Sequence, residues 1–138
     1  MRTLFDTNIL LDLGLARKPF ANAAFACLKL TKETGEPPRI APHALATFFY
    51  IVAQGRDPAV ARAATMDLIE TCEIVSFGQE QAERSLTLDF GDFEDAMIAA
   101  AAEASEVDWI LTRNGEDFRN SPVPALSPEA FLERMRRP

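Results

Sequence analysis

The chain has 138 residues and a net charge of -7, with 48% hydrophobic and 25% charged residues. That length suits one domain spanning residues 1–138, and the apolar content supports a real core. The acidity argues against a broad basic surface for nucleic acid. No apolar run approaches the ~20 residues of a membrane span, and the first one is broken by Asp6, Thr7, Asn8 and Asp12, unlike a signal peptide.

Taken in order, Arg2 to Phe5 reads as a short buried strand ending on Asp6, with an apolar run resuming at Ile9. Pro19 to Thr31 reads as a helix, because Phe20, Ala23, Ala24, Cys27 and Leu28 recur at helical spacing. Gly35-Glu36-Pro37-Pro38 is a break, and Arg39-Ile40-Ala41 a brief strand ended by Pro42. Leu45, Phe48, Phe49, Val52 and Ala53 mark the next helix, which stops near Gly55. Asp57-Pro58 then supplies an N-cap and first helical residue for a helix with Ala61, Ala64, Leu68 and Cys72 on its buried stripe. Glu73 to Phe77 reads as a third strand, with a helix from Gly78 to about Leu88. Gly91-Asp92 opens an Ala-rich helix through Ala104, and Asp108 to Thr112 is a fourth strand. A polar loop from Arg113 to Pro124 leads to a short strand at Ala125-Leu126, and Ser127-Pro128 caps a terminal helix.

Strands alternating with helices predict an α/β fold around a mainly parallel sheet, whose functional crevice lies at the C-terminal strand ends. Asp6 falls at such an end, and so do Arg113, Asn114 and Asp117. Cys27 and Cys72 sit on apolar helical faces and read as small core residues rather than a disulfide, consistent with a cytoplasmic protein. The run Phe48-Phe49-Tyr50-Ile51 exceeds one buried stripe; core packing and an interface both account for it. The basic tail Arg134 to Arg137 sits where a helix dipole favours it.

Charge is uneven. From Ser85 to Thr112 there is no Lys or Arg, while Asp89, Asp92, Glu94, Asp95, Glu103, Glu106 and Asp108 are acidic. Local physics explains part of this: Asp92 as N-cap and Asp95 as the third-position acid of a capping box both suit a helix start. Capping does not explain why Asp95 shares a face with Ile98, Ala99 and Ala102, which points it toward a neighbouring element. If Asp6, Asp95 and Asp117 converge, two carboxylates ~5 Å apart repel by about 3 kcal/mol at an effective dielectric of ~20. A hard cation, Mg²⁺ or Mn²⁺, resolves that repulsion, since the ligands are oxygens with no His or Cys among them. Such a cation activates water and neutralises a phosphodiester. With one histidine, His43, read as a helix-start residue, paired-His chemistry is not available. GxSxG, GxxxxGK[ST] and GxGxxG are absent, and DTN lacks the DxD of a phosphotransfer site.

FDTNILLD at the N-terminus, DFEDAMIAAAA in the middle, and WILTRNGEDF followed by PALSPEAFL resemble a PIN domain, in order and over almost the whole chain. The likeness is to the bacterial subgroup related to VapC-type toxins. It implies a three-layer fold with a central parallel sheet of about five strands flanked by helices, and Mg²⁺- or Mn²⁺-dependent cleavage of RNA. It further implies frequent homodimers and, for toxins, a small antitoxin protein. Carried over, Asp6 matches the first metal-site aspartate, with Asn8 orienting it. Asp95 matches the aspartate of the Ala-rich helix, with Asp92 as accessory acid. Asn114 stands where Asp is common, and Asp117 is the nearby acid that completes the site. Arg113 contacts phosphate or is a plain surface arginine. One departure matters: where the family usually places an acid on the helix after the second strand, this chain has Thr47. Two readings follow, a ribonuclease toxin and a degenerate PIN domain that binds RNA or protein without cleaving.

Overall fold

A computed structural model describes residues 1–137. Five strands form one sheet: β1 Thr3–Phe5, β2 Arg39–Ile40, β3 Glu73–Ile74, β4 Trp109–Leu111 and β5 Ala125–Leu126. All pairings are parallel, in the spatial order β3-β2-β1-β4-β5. The helices are α1 Thr7–Gly14, α2 Ala21–Glu33, α3 Pro42–Gly55, α4 Pro58–Thr71, α5 Gln79–Thr87, α6 Phe93–Ala104 and α7 Pro128–Arg136. The expected α/β architecture with a five-stranded parallel sheet flanked by helices is what the chain adopts.

Order reverses at β1. The first crossover carries the chain to β2 on one side, and β4 later returns to the other side, in register with β1 through Leu4↔Ile110 and Phe5↔Leu111. The crevice at such a switch point is where parallel sheets place ligands. Leu4, Phe5, Ile110 and Leu111 are fully buried, so the two strands that frame the crevice form the rigid centre of the molecule.

Elements differ from the sequence reading where propensity is weak. The apolar run after Asn8 is the helix α1, begun directly at Thr7 because Asp6 caps it: its Oδ1 accepts from Thr7 N at 2.8 Å. The third strand is two residues rather than five; Val75 still bonds to Ile40 O at 3.0 Å, but the edge has no further partner to extend it. The polar loop contains a 3₁₀ turn, Gly115–Phe118, anchored by buried Phe118. The caps behave as read: Asp57 accepts from Val60 N at 2.9 Å and Ser127 from Ala130 N at 3.1 Å, each followed by Pro at the first helical position.

Small residues set the layer spacing. Ala96, Ala99, Ala100, Ala101 and Ala102 are all buried in α6, which packs against both α5 and β4. Gly14 lets α1 approach α3, because a Cβ there would stand 2.5 Å from Phe48 Cε2. Within the aromatic run, Phe48 is core and Phe49 half-buried against it, while Tyr50 and Ile51 are exposed. Cys27 and Cys72 are buried free thiols, and burial pushes Cys27 up to about 12, well out of the reactive range. Among the described residues no helix is long and apolar enough to cross a membrane.

Candidate functional site

Asp6 continues the β1 ladder through its N–H to Leu111 O, 2.9 Å, and then turns its side chain into the crevice. Thr7, Asn8 and Thr112 are arranged around that carboxylate. The Thr112 hydroxyl donates to Asp6 Oδ2 at 2.7 Å and Asn8 Nδ2 donates to the same oxygen at 3.2 Å. A hydroxyl has one proton, so Thr112 Oγ1 is left as an acceptor for Asn114 N at 3.0 Å. Asn8 Oδ1 accepts from Arg113 N at 3.4 Å. Asp6 and Asn8 therefore tie the end of β1 to the end of β4. Burial, the largest influence, raises Asp6 above its ordinary pKa, and Asp117 adds to this; the bonds from Thr112 and Thr7 and the charge of His43 oppose it.

Asp92 and Asp95 come from the start of α6. Asp92 is the cap, accepting from Asp95 N at 3.1 Å, but Asp95 does not close the reciprocal bond of a capping box. Its carboxylate instead lies within electrostatic reach of Asp6, Asp92 and Asp117. Burial, followed by the charges of Asp6, Asp92, Asp117 and Glu94, pushes Asp95 up from 3.8 to about 7. Asp117 lies in the 3₁₀ turn, its N–H bonded to Asn114 O at 3.0 Å, and both residues are exposed at the rim.

Two expected neighbours behave differently. The Thr47 hydroxyl donates to His43 O at 3.2 Å, one turn back on α3, so it is committed to its own helix. Arg113 turns away from the acids: Nε and one terminal nitrogen bond Asp12 at 2.7 and 3.3 Å. Its guanidinium is thus paired and only partly exposed rather than free on the surface.

Two residues escaped the sequence reading. His43 does start α3, but its Nε2 also lies 3.2 Å from Glu94 O, across to the first turn of α6. Burial lowers its pKa against the pull of Glu94 and Asp6; Nε2 donates to the carbonyl, and the buried Nδ1 has no partner. No local pattern signals this, because the contact spans 51 positions. Asp12 is the second, and a signal existed: a lone acid inside ILLDLG falls on a buried helix, where charge survives only if paired.

The donors are all oxygens, which suits Mg²⁺ or Mn²⁺. Among the described residues, no three His, Cys, Asp or Glu side chains gather closely enough to cage an ion by themselves. Mg²⁺ does not require that: it keeps several waters and is held by one or two carboxylates plus substrate phosphate. Asp6 and Asp95 are the more buried of the four acids and Asp92 and Asp117 the exposed ones, an arrangement that fits a cation held in this way.

A sequence profile described as PIN domain matches residues 2–116. No curated protein matches the sequence. Among solved structures, VapBC2 from Rickettsia felis, bound to a DNA fragment from their promoter, superposes with TM-score 0.75 at 18% identity, covering 92% of this chain and 98% of that one. A toxin–antitoxin complex from Klebsiella pneumoniae gives TM-score 0.69 at 26% identity, over 91% and 97%. VapC20 of Mycobacterium tuberculosis, a sarcin–ricin loop cleaving toxin, gives TM-score 0.61 at 16% identity, over 78% and 86%.

Proposed function

Since the chain belongs to the PIN domain family, we propose that it is a metal-dependent ribonuclease, the toxin of a toxin–antitoxin pair. The observation that carries this reading is the set of acids gathered at the switch point, where burial first and then the charges of Asp6, Asp92 and Asp117 push Asp95 up to about 7. A site built only for stability has no reason to bury Asp95 within electrostatic reach of Asp6. Likeness to toxin–antitoxin complexes over nine-tenths of the chain supports a small antitoxin protein as partner.

Asp6 and Asp95 would hold Mg²⁺ or Mn²⁺, with Asp92 and Asp117 at the rim. When bound, the cation acidifies a water and neutralises charge that builds on the phosphodiester oxygens. The chain's own part is orientation. Thr112, Asn8 and the Thr7 N–H together favour the ionised form of Asp6, which buried surroundings alone would disfavour. His43 ties the first turn of α6, and so Asp95, to α3.

The second reading is a PIN domain that binds RNA or protein without cutting it. It is favoured by Thr47, whose hydroxyl is spent on His43 O, and by Asn114, neutral where a charge is common. Cleavage of a mixed RNA pool in Mn²⁺ or Mg²⁺, with EDTA and Asp95→Asn controls, separates the two. The nuclease predicts cutting that EDTA abolishes and that the variant loses by more than the ~100-fold reached by outer-shell changes. A folded, partner-free sample that cuts nothing in either metal leaves the binding module.

A further inference from the structure

Asp12 carries a buried charge that the proposed reaction does not use. Its side chain is 1% exposed, on α1 beyond Asn8. Arg113 grips it through two nitrogens, and Arg17 Nε lies 3.6 Å from Oδ1. The Arg113 guanidinium carbon also lies over the Phe20 ring, 3.9 Å from its centroid. Arg113 stands between Thr112, which bonds Asp6, and Asn114, which opens the turn bearing Asp117.

A buried ion pair is a poor device for stability alone, because desolvation offsets most of its attraction. What the pair does supply is geometry. The planar guanidinium has one orientation that satisfies both Asp12 oxygens and the Phe20 face, so it fixes where the chain leaves β4. It also disposes of a charge. An arginine at this position is a potential competitor for any cation between Asp6 and Asp95. Asp12 neutralises it, engaging Nε and a terminal nitrogen with its two oxygens.

We propose that Asp12, Arg113 and Phe20 form a strut that positions the loop carrying Asn114 and Asp117 relative to Asp6, and that withholds the arginine's charge from the metal carboxylates. These are positioning residues, and the assignment of a metal role to the carboxylates rests on the function proposed above.

Three variants test it in the full chain. Arg113→Lys keeps the charge but loses the fork and the stack. Asp12→Asn keeps the shape and leaves two partly exposed arginines. Phe20→Leu removes only the stack, so it covers the case in which a charge change prevents folding. Two quantities are measured: amide hydrogen exchange at residues 114–118 without metal, and uptake of Mn²⁺ counted from the free ion by electron paramagnetic resonance. The strut predicts about tenfold faster exchange in the loop with α6 unchanged, and Mn²⁺ affinity weakened by ~10- to 100-fold, the usual effect of losing an outer-shell partner. Unchanged loop exchange overturns it. So does intact Mn²⁺ affinity with a raised KM for RNA, which makes Arg113 a phosphate contact instead. If the unmodified chain takes up no Mn²⁺, the metal reading of the site fails, and loop exchange alone decides the strut.

Discussion

At the scale of residues, the chain keeps a carboxylate where the folded state disfavours its charge. Asp95 titrates at about 7 when folded, against 3.8 ordinarily, first because it is partly buried and then because Asp6, Asp92 and Asp117 face it. The native state therefore holds more protons than the unfolded chain between those two values, and stability falls as pH rises across that window. Asp95→Asn removes the loss. Thermal scans in EDTA are expected to show equal midpoints near pH 4 and a more stable variant at pH 8. The gain is on the order of 1 kcal/mol once solvent screening of a half-exposed carboxylate is allowed for. A variant no more stable than the parent at pH 8 would mean that neither burial nor the neighbouring carboxylates disfavour the charge of Asp95.

Elements show the same economy of space. Gly14 ends α1 against α3, and a Cβ there would meet Phe48 Cε2 at 2.5 Å and Val52 Cγ2 at 3.1 Å. Alanine is worth up to ~1 kcal/mol over glycine inside a helix. Overpacking against a ring that is 1% exposed costs ~1–3 kcal/mol and outweighs that gain. Gly14→Ala is thus expected to lower the urea midpoint, and adding Phe48→Leu to restore part of it. If the single variant is stabilising, α1 and α3 are not in the close contact described. Because Asp6 caps α1 and the helix carries Asn8 and Asp12, this contact bears on the site as well as on the core.

For the whole molecule, the parallel sheet reverses its order between β1 and β4 and gathers acids from distant parts of an already acidic chain. A divalent cation that binds there binds the folded state alone. At ~100 times its dissociation constant it adds about 2.7 kcal/mol, which is ~10 °C in Tm for a domain of this size. Mn²⁺ is expected to raise Tm by that order, well beyond NaCl at equal ionic strength, and EDTA to reverse it. An equal rise in both salts would indicate screening of general repulsion rather than a site.

The sequence by itself determined the alternation of strands and helices, the caps at Asp57, Asp92 and Ser127, and Asp6 at a strand end, because apolar period, capping chemistry and proline position are local properties. It also singled out Asp95, whose face runs on into the buried alanines of α6. Tertiary structure alone decided the rest. It shortened β3, whose length depends on a neighbour, and it turned Thr47 back onto its helix. It brought His43 to Glu94 and drew Arg113 away from the acids to Asp12, 101 positions earlier. Hydrogen bonds and ion pairs act over a few ångströms of space, and only the folded sheet sets which side chains lie within that reach.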